Sequence, residues 1–163
     1  MTQQPPHPPS LEIVYAEVKD RLDLQLHQVD TLDTKAGTVL TVASVVMTLG
    51  AGLPVTASSQ DIDAVPLILI LAGTLFYAAA MFFGFRGYWL RNFLRDPEPR
   101  PLRDRYLLQA PDFTRRRIIA NMIQSFEVNQ PLIESKVWNI KVGILLLAVE
   151  TVILVAALIA ERV

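Results

Sequence analysis

Three long apolar segments, separated by polar stretches, dominate the pattern of this chain. Residues 36–53 and 64–85 contain no charged side chain, and residues 142–160 contain a single one, Glu150. Because an α-helix rises about 1.5 Å per residue, each segment is long enough to cross a hydrocarbon layer about 30 Å thick. The sequence therefore predicts an all-α membrane protein with three transmembrane helices.

The polar residues before the first span also follow a helical pattern. Residues 1–10 are proline-rich and predict a disordered tail, whereas residues 11–35 predict an amphipathic helix. Its apolar positions alternate at spacings of four and three, interrupted at Gln25: Leu11, Tyr15, Val18, Leu22, Val29, Leu32 and Ala36. We expect one long helix that continues into the first span, with this stripe packed either within the monomer or against another subunit.

The segment between the second and third spans, residues 86–141, predicts a small helical bundle. The second span should continue as a helix through Arg91 and Arg95, followed by a non-helical connector rich in proline. Asp112 is placed to cap a further helix that reaches about Asn129, and Pro131 predicts a kink or break before the third span.

Charge sets the expected orientation. Of the 15 Lys and Arg residues, eleven lie in residues 86–141, three in 1–35, one after 160 and none in 54–63. Since Lys and Arg are retained on the cytoplasmic side, the amino terminus and the 86–141 segment should lie inside and the carboxyl terminus outside. Tyr88, Trp89 and Trp138 are expected to anchor that inner boundary. A bacterial inner membrane suits this small, cysteine-free chain.

Composition excludes several classes of site. The chain has no cysteine and only two histidines, so a disulfide framework, a thiolate metal site and a cysteine nucleophile are excluded. No convergent set of titratable groups suggests catalysis. We expect no enzyme activity, no cofactor, no metal and no nucleic-acid partner.

The densest cluster of charge is Arg115, Arg116 and Arg117, close to the start of a predicted helix. Guanidinium groups beside the free N–H groups of a helix start could bind an anionic phosphate. A basic patch near a membrane could equally bind anionic lipid headgroups. Both interpretations stand at the level of sequence.

Glu150 is the sharpest polar feature of the spans. A carboxylate inside a span is costly if it faces lipid, so Glu150 should face other helices or water. It could line or gate a pore in an oligomer. Alternatively, it could be a protonated carboxyl group that is hydrogen-bonded inside the bundle, for example to Thr151 or to the hydroxyl groups of the first span.

The stretch from Val29 to Leu40 includes Asp33-Thr-Lys-Ala-Gly, where an acidic amphipathic helix turns directly into a span. This motif, with two spans, a helical cytoplasmic segment and a last span, resembles the three-span Pycsar transmembrane effectors over roughly residues 11 to 160. The resemblance implies antiphage defence: a partner pyrimidine cyclase makes cyclic UMP or cyclic CMP, and the effector, as a homo-oligomer, impairs the lipid bilayer and kills the infected cell.

Within that resemblance, Asp33 and Lys35 would belong to a pocket or gate between the cytoplasmic bundle and the spans. In the simpler interpretation Lys35 anchors the helix and Asp33 is solvated. The leading rival function is a non-signalling membrane scaffold or accessory subunit whose basic segment binds lipid or protein.

Overall fold

The computed structural model describes residues 10–56, 64–89, 92–94, 104 and 108–160. It contains three α-helices: α1 (Ser10–Thr56), α2 (Ala64–Tyr88) and α3 (Pro111–Ala160). All three are long and apolar enough to cross a membrane, and the described residues contain no strand. The prediction of an all-α chain with three candidate spans is confirmed. The predicted tail falls almost wholly outside the described residues.

Helix α1 runs without a break through both its acidic part and its apolar part, as the sequence predicted. At about 1.5 Å per residue it is roughly 70 Å long, more than twice the thickness of a hydrocarbon layer. A helix of that length that spans a membrane must also extend well outside it.

Helix α3 corrects two predictions. It is one continuous helix from Pro111 to Ala160, so the end expected near Asn129 and a break at Pro131 are wrong. Pro131 is exposed, and the continuous buried face around it includes Asn129 and Ile133. Packing on that face offsets the single backbone hydrogen bond that a proline removes.

The start of α3 also differs from the expectation. The backbone N–H of Thr114 donates to the carbonyl of Ala110 over 3.1 Å, which makes Ala110 the capping position instead of Asp112. Pro111 then occupies the first helical position, where its fixed φ and missing N–H cost least. Asp112 lies in the first turn, where a carboxylate favours the positive end of the helix dipole.

The second span does not continue as a helix in the described residues that follow it; Arg91 and Arg95, through which that helix was expected to run, lie outside the described residues. Helix α2 ends at Tyr88, and residues 92–94 are not helical. The backbone of Leu94 instead pairs with the Asn129 side chain: its N–H donates to Oδ1 and its carbonyl accepts from Nδ2, both over 2.9 Å. These two bonds replace those that a continued helix would have supplied. The proline-rich connector lies mostly outside the described residues.

The chain divides into two compact units. The first unit comprises Met1–Asp30 and Arg91–Ile133, and the second unit comprises Thr31–Leu90 and Glu134–Val163. The three apolar segments all belong to the second unit. In the first unit, buried Leu22, Val29 and Met122 lie between the two helices, α1 and α3, that contribute to it.

Packing in the second unit relies on small residues of α2. A Cβ at Gly84 would lie 2.7 Å from Leu40 of α1, and a Cβ at Gly143 of α3 would lie 3.7 Å from the backbone of Ala80 and Gly84. Small side chains allow membrane helices to come this close, since dispersion contacts replace the hydrophobic effect there. Within the second unit α1 and α3 run parallel, since Asp33 meets Lys136 and Gly50 meets Leu154, and α2 runs antiparallel to both.

Candidate functional site in the buried polar seam

A buried ion pair joins α1 and α3 in the second unit. The Nζ of Lys136 donates a hydrogen bond to Oδ1 of Asp33. The Lys136 side chain is only 2 % exposed, whereas that of Asp33 is 34 % exposed. Removing the ammonium group from water is costly, and the carboxylate offsets that cost only while the pair is intact. The pair therefore depends on a fixed alignment of the two helices.

Close packing lies next to this pair. Ala36, one turn beyond Asp33, is fully buried. A Cβ at Gly87 of α2 would lie 3.0 Å from Cγ1 of Ile140 and 3.8 Å from Cβ of Ala36. All three helices thus meet immediately after the ion pair.

The Asp-Thr-Lys-Ala-Gly motif divides into two faces. Asp33 and Ala36 face the other helices, the first through the ion pair and the second through packing. Lys35 is exposed, and the space around Gly37 is open, since nothing lies within 4 Å of a Cβ placed there. The structure therefore separates Asp33 from Lys35, which the sequence analysis had placed in one pocket or gate. Asp33 is ion-paired and only partly solvated.

Glu150 lies on the buried face of α3 and is fully inaccessible to solvent. Neither carboxylate oxygen has a hydrogen-bond partner among the described residues. This burial agrees with the expectation that Glu150 faces other helices or water. Its two oxygens are the most unusual buried polar atoms of the second unit, because buried polar groups are normally paired.

The hydroxyl partners suggested for Glu150 are engaged elsewhere. Thr151 donates to the carbonyl of Leu147 over 2.8 Å and is exposed. The hydroxyl groups of the first span also donate to carbonyls four residues earlier in α1: Thr38, Thr41, Ser44 and Thr48. Hydroxyl side chains in helices commonly make this local bond. A hydrogen-bonded carboxyl group inside this bundle is therefore not what the described residues provide.

Helix register shows where Glu150 lies. On one side of it along α3, a Cβ placed on Gly143 would lie 3.4 Å from Cγ1 of Val39 of α1. On the other side, Leu154 would meet Cβ atoms placed on Gly50 at 2.8 Å and on Gly73 at 2.9 Å. The acid thus lies between two layers in which all three helices are in close contact.

The arginine cluster belongs to the first unit, where its members differ in role. Arg115 forms an ion pair with Glu12 at 2.5 Å, and its guanidinium carbon lies 5.8 Å from the centre of the Tyr15 ring. Arg117 lies 6.0 Å from the ring centre of Phe113 on its own helix. Arg116 and Arg117 are exposed. Arg115 therefore holds the two helices together, and the other two arginines are accessible to an anion.

Three buried polar residues were not identified as buried from the sequence. Lys136 and Asn129 are almost fully buried on α3, and Gln25 donates to the Phe126 carbonyl over 3.1 Å and to Gln130 over 3.4 Å. The spacing of three and four along α1 could have placed Gln25 on the buried face, although it had been taken as an interruption. Because a kink or break was expected at Pro131, the sequence did not show that Lys136 continues the buried face of α3.

The described residues contain no group of three or more His, Cys, Asp or Glu side chains that could hold a metal ion. The functional groups gathered in the second unit are one ion pair and one unpaired acid. Such groups can respond to a change in helix packing. No protein-family model, no curated protein and no solved structure matches this chain.

Proposed function

We propose that this chain is a membrane effector of antiphage defence. In this proposal a cyclic pyrimidine nucleotide, cyclic UMP or cyclic CMP from a partner cyclase, triggers a homo-oligomer that impairs the bacterial inner membrane. The first unit is cytoplasmic, and the carboxyl terminus lies outside. The resemblance around Asp33-Thr-Lys-Ala-Gly suggests the family, and the unpaired, fully buried Glu150 is the structural observation that carries the mechanism.

The complete burial of Glu150 favours the interpretation that this structure is a closed resting state. An intramembrane acid is expensive, and functional roles are its usual explanation. Here the carboxyl group is enclosed by close contacts of the three helices on both sides along α3. If the spans separate or rearrange in an oligomer, the group gains access to water and lines a conducting path. The closed packing keeps it away from both lipid and solvent.

The activating nucleotide must favour the rearranged state. A ligand shifts an equilibrium only by its difference in affinity for the two states, and a shift from 1:99 to 99:1 requires about 5.5 kcal/mol. Arg116 and Arg117 of the first unit are exposed and can contact a phosphate group, whereas Arg115 is engaged with Glu12. Lys35 of the second unit is a separate exposed cation. Arg116 and Arg117 are therefore the nucleotide contacts we propose to test.

Dye release from liposomes that contain the purified chain tests the proposal. Cyclic UMP, cyclic CMP, cyclic AMP and no nucleotide are compared, with far-UV circular dichroism and flotation to establish helicity and insertion. We expect release with one pyrimidine nucleotide only. Glu150→Gln should reduce that release at least tenfold, because the amide cannot ionise in a water-filled path.

Thr151→Val is the matched control for Glu150→Gln. Thr151 is the neighbouring residue, is exposed and bonds only to its own helix in the described structure, so this variant should release dye like the parent chain. No release with any nucleotide from inserted, helical protein would reject the effector proposal. Equal release from Glu150→Gln and the parent would reject the role of Glu150 alone.

A scaffold or accessory subunit is the second candidate. It is favoured by large apolar side chains exposed on the first unit, among them Ile13 (71 %) and Phe113 (49 %). Such a surface beside Arg116 suits an acidic, apolar protein partner. This function predicts no nucleotide response, together with loss of partner binding in Ile13→Ser and Phe113→Ser.

A further inference from the structure

Cations and aromatic rings from all three helices of the second unit lie at one level. Gly87 approaches both Ile140 and Ala36, so these three residues define a common layer. Their direct neighbours in sequence include Lys35, Arg86, Tyr88 and Lys141. Since one residue advances an α-helix by about 1.5 Å, these side chains start close to the same plane.

The side chains at this level are exposed. Trp89 is 70 % exposed, Trp138 65 % and Tyr88 50 %, and the three cations fall in the same exposed class. We call this set the cationic belt; its members are Lys35, Arg86, Tyr88, Trp89, Trp138 and Lys141. Each helix supplies one cation, and α2 and α3 supply the aromatic rings.

The positive charge of the belt is uncompensated within the described structure. No Asp or Glu occurs in residues 34–56, 64–89 or 137–149. The nearest preceding carboxylate on α1, Asp33, is already paired with Lys136. None of the described side chains forms an ion pair with Lys35, Arg86 or Lys141. Three fixed positive charges therefore lie at one end of the apolar segments.

We propose that the cationic belt binds the phosphate groups of anionic phospholipids. Lys and Arg can lay their aliphatic stems along apolar surface and place the charged group among the headgroups. Trp and Tyr favour the same depth, where the ring is partly in hydrocarbon and its polar atom is in water. The partner is thus an anionic lipid surface, and the inference does not depend on the proposed defence function.

The arrangement favours lipid over a small soluble anion. The three cations are spread over three helices and are exposed, whereas a soluble phosphate is usually held by groups that converge in a concave site. One pocket of the second unit, of about 460 Å³, is lined by other residues: Thr41, Ser44, Val45, Thr48 and Leu49. An annulus of lipid can contact three outward-facing cations at once.

The two tryptophans of the chain both belong to the belt, so intrinsic fluorescence reports on it directly. The full chain is placed in nanodiscs that mix phosphatidylcholine and phosphatidylglycerol. In one sample the phosphatidylglycerol is brominated near the headgroup end of its acyl chains, and in the other the same mole fraction of phosphatidylcholine is brominated. We expect stronger quenching by the brominated anionic lipid, with a preference of roughly fivefold in relative binding constant per cation engaged.

Three neutralising substitutions test the assignment. Lys35→Gln, Arg86→Gln and Lys141→Gln together should remove the preference for brominated phosphatidylglycerol. A control removes positive charge from exposed residues of the first unit to which no phosphate contact is assigned: Lys19→Gln and Arg21→Gln. This control should retain the preference, and added salt should weaken it in the parent.

Each outcome is decisive for the belt. Equal quenching by both brominated lipids in the parent chain would overturn the proposal. An equal loss of preference in the belt variant and the control variant would also overturn it, because attraction would then follow net charge alone. Circular dichroism of each variant in nanodiscs excludes a loss of folding, and Arg86→Lys, which keeps the charge, should preserve the preference.

Discussion

Every buried polar side chain of the first unit forms at least one hydrogen bond, although Oε1 of Gln25 has no partner among the described residues, whereas the second unit encloses an acid in which neither carboxylate oxygen is paired. In the first unit Gln25 and Asn129 form hydrogen bonds that cross between separate segments. In the second unit the buried residues are mainly small and apolar, and Glu150 is unpaired. Buried hydrogen bonds specify register in the first unit, and close glycine contacts do so in the second.

This difference distinguishes buried polar groups that stabilise the fold from buried polar groups that act in another state of the molecule. A buried amide that is hydrogen-bonded to another segment stabilises one alignment of helices and resists change. An unpaired acid stabilises nothing in the described packing, so its presence favours a role in another state of the molecule. The ion pair of Asp33 and Lys136 is structural by this criterion although it lies in the second unit.

The largest expected change in stability comes from removing the more exposed member of this ion pair, Asp33. Asp33→Ala leaves the buried Lys136 ammonium without its carboxylate, and it should lower the free energy of unfolding by about 3 kcal/mol. Thermal unfolding in detergent, followed by circular dichroism, measures the change. Adding Lys136→Met should restore most of the loss, since an apolar residue of similar length fills the site. A double variant no more stable than Asp33→Ala would contradict this account.

The next largest loss in the free energy of unfolding should come from overpacking in the second unit. Gly143→Leu places a large side chain against the backbone of Ala80 and Gly84, both within 3.7 Å of its Cβ. We expect a loss of about 2 kcal/mol, because the backbones of α2 and α3 must move apart. Gly37→Leu is the control, since nothing lies within 4 Å there, and its unfolding temperature should stay near that of the parent. The two variants are compared in one detergent series.

In the first unit, Asn129→Ala removes two hydrogen bonds to the Leu94 backbone. At about 1 kcal/mol per hydrogen bond, the expected loss is about 2 kcal/mol or slightly less. Hydrogen exchange should show faster exchange at the Leu94 amide. Unchanged protection at Leu94 would mean that Asn129 does not fix this segment.

The smallest expected change in stability is that of a Glu150 variant, and it tests the comparison between the two units. Glu150→Leu removes the two unpaired oxygens and should leave stability unchanged or raise it by roughly 1 kcal/mol. Thermal unfolding in detergent tests this directly. A marked loss of stability would show that Glu150 has a structural partner, and the contrast between the two units would fail.

The candidate site was only partly predictable from sequence. Glu150 stands out because a charge interrupts an apolar segment, and Asp33 because it belongs to a short motif. Lys136 gives no such signal, since a lysine shortly before a span is normally taken as an anchor at the membrane boundary. Its burial depends on the rotation of α3, which the expected break at Pro131 obscured.

Sequence alone determined the three apolar helices, because span length and charge exclusion follow directly from the order of residues. It also determined the long first helix through its spacing of three and four. Tertiary structure decided which polar residues are buried together: the same helix presents Asp33 to Lys136 and Lys35 to solvent. The physical reason is that helix rotation and register depend on contacts between residues about a hundred positions apart, and no local pattern contains those contacts.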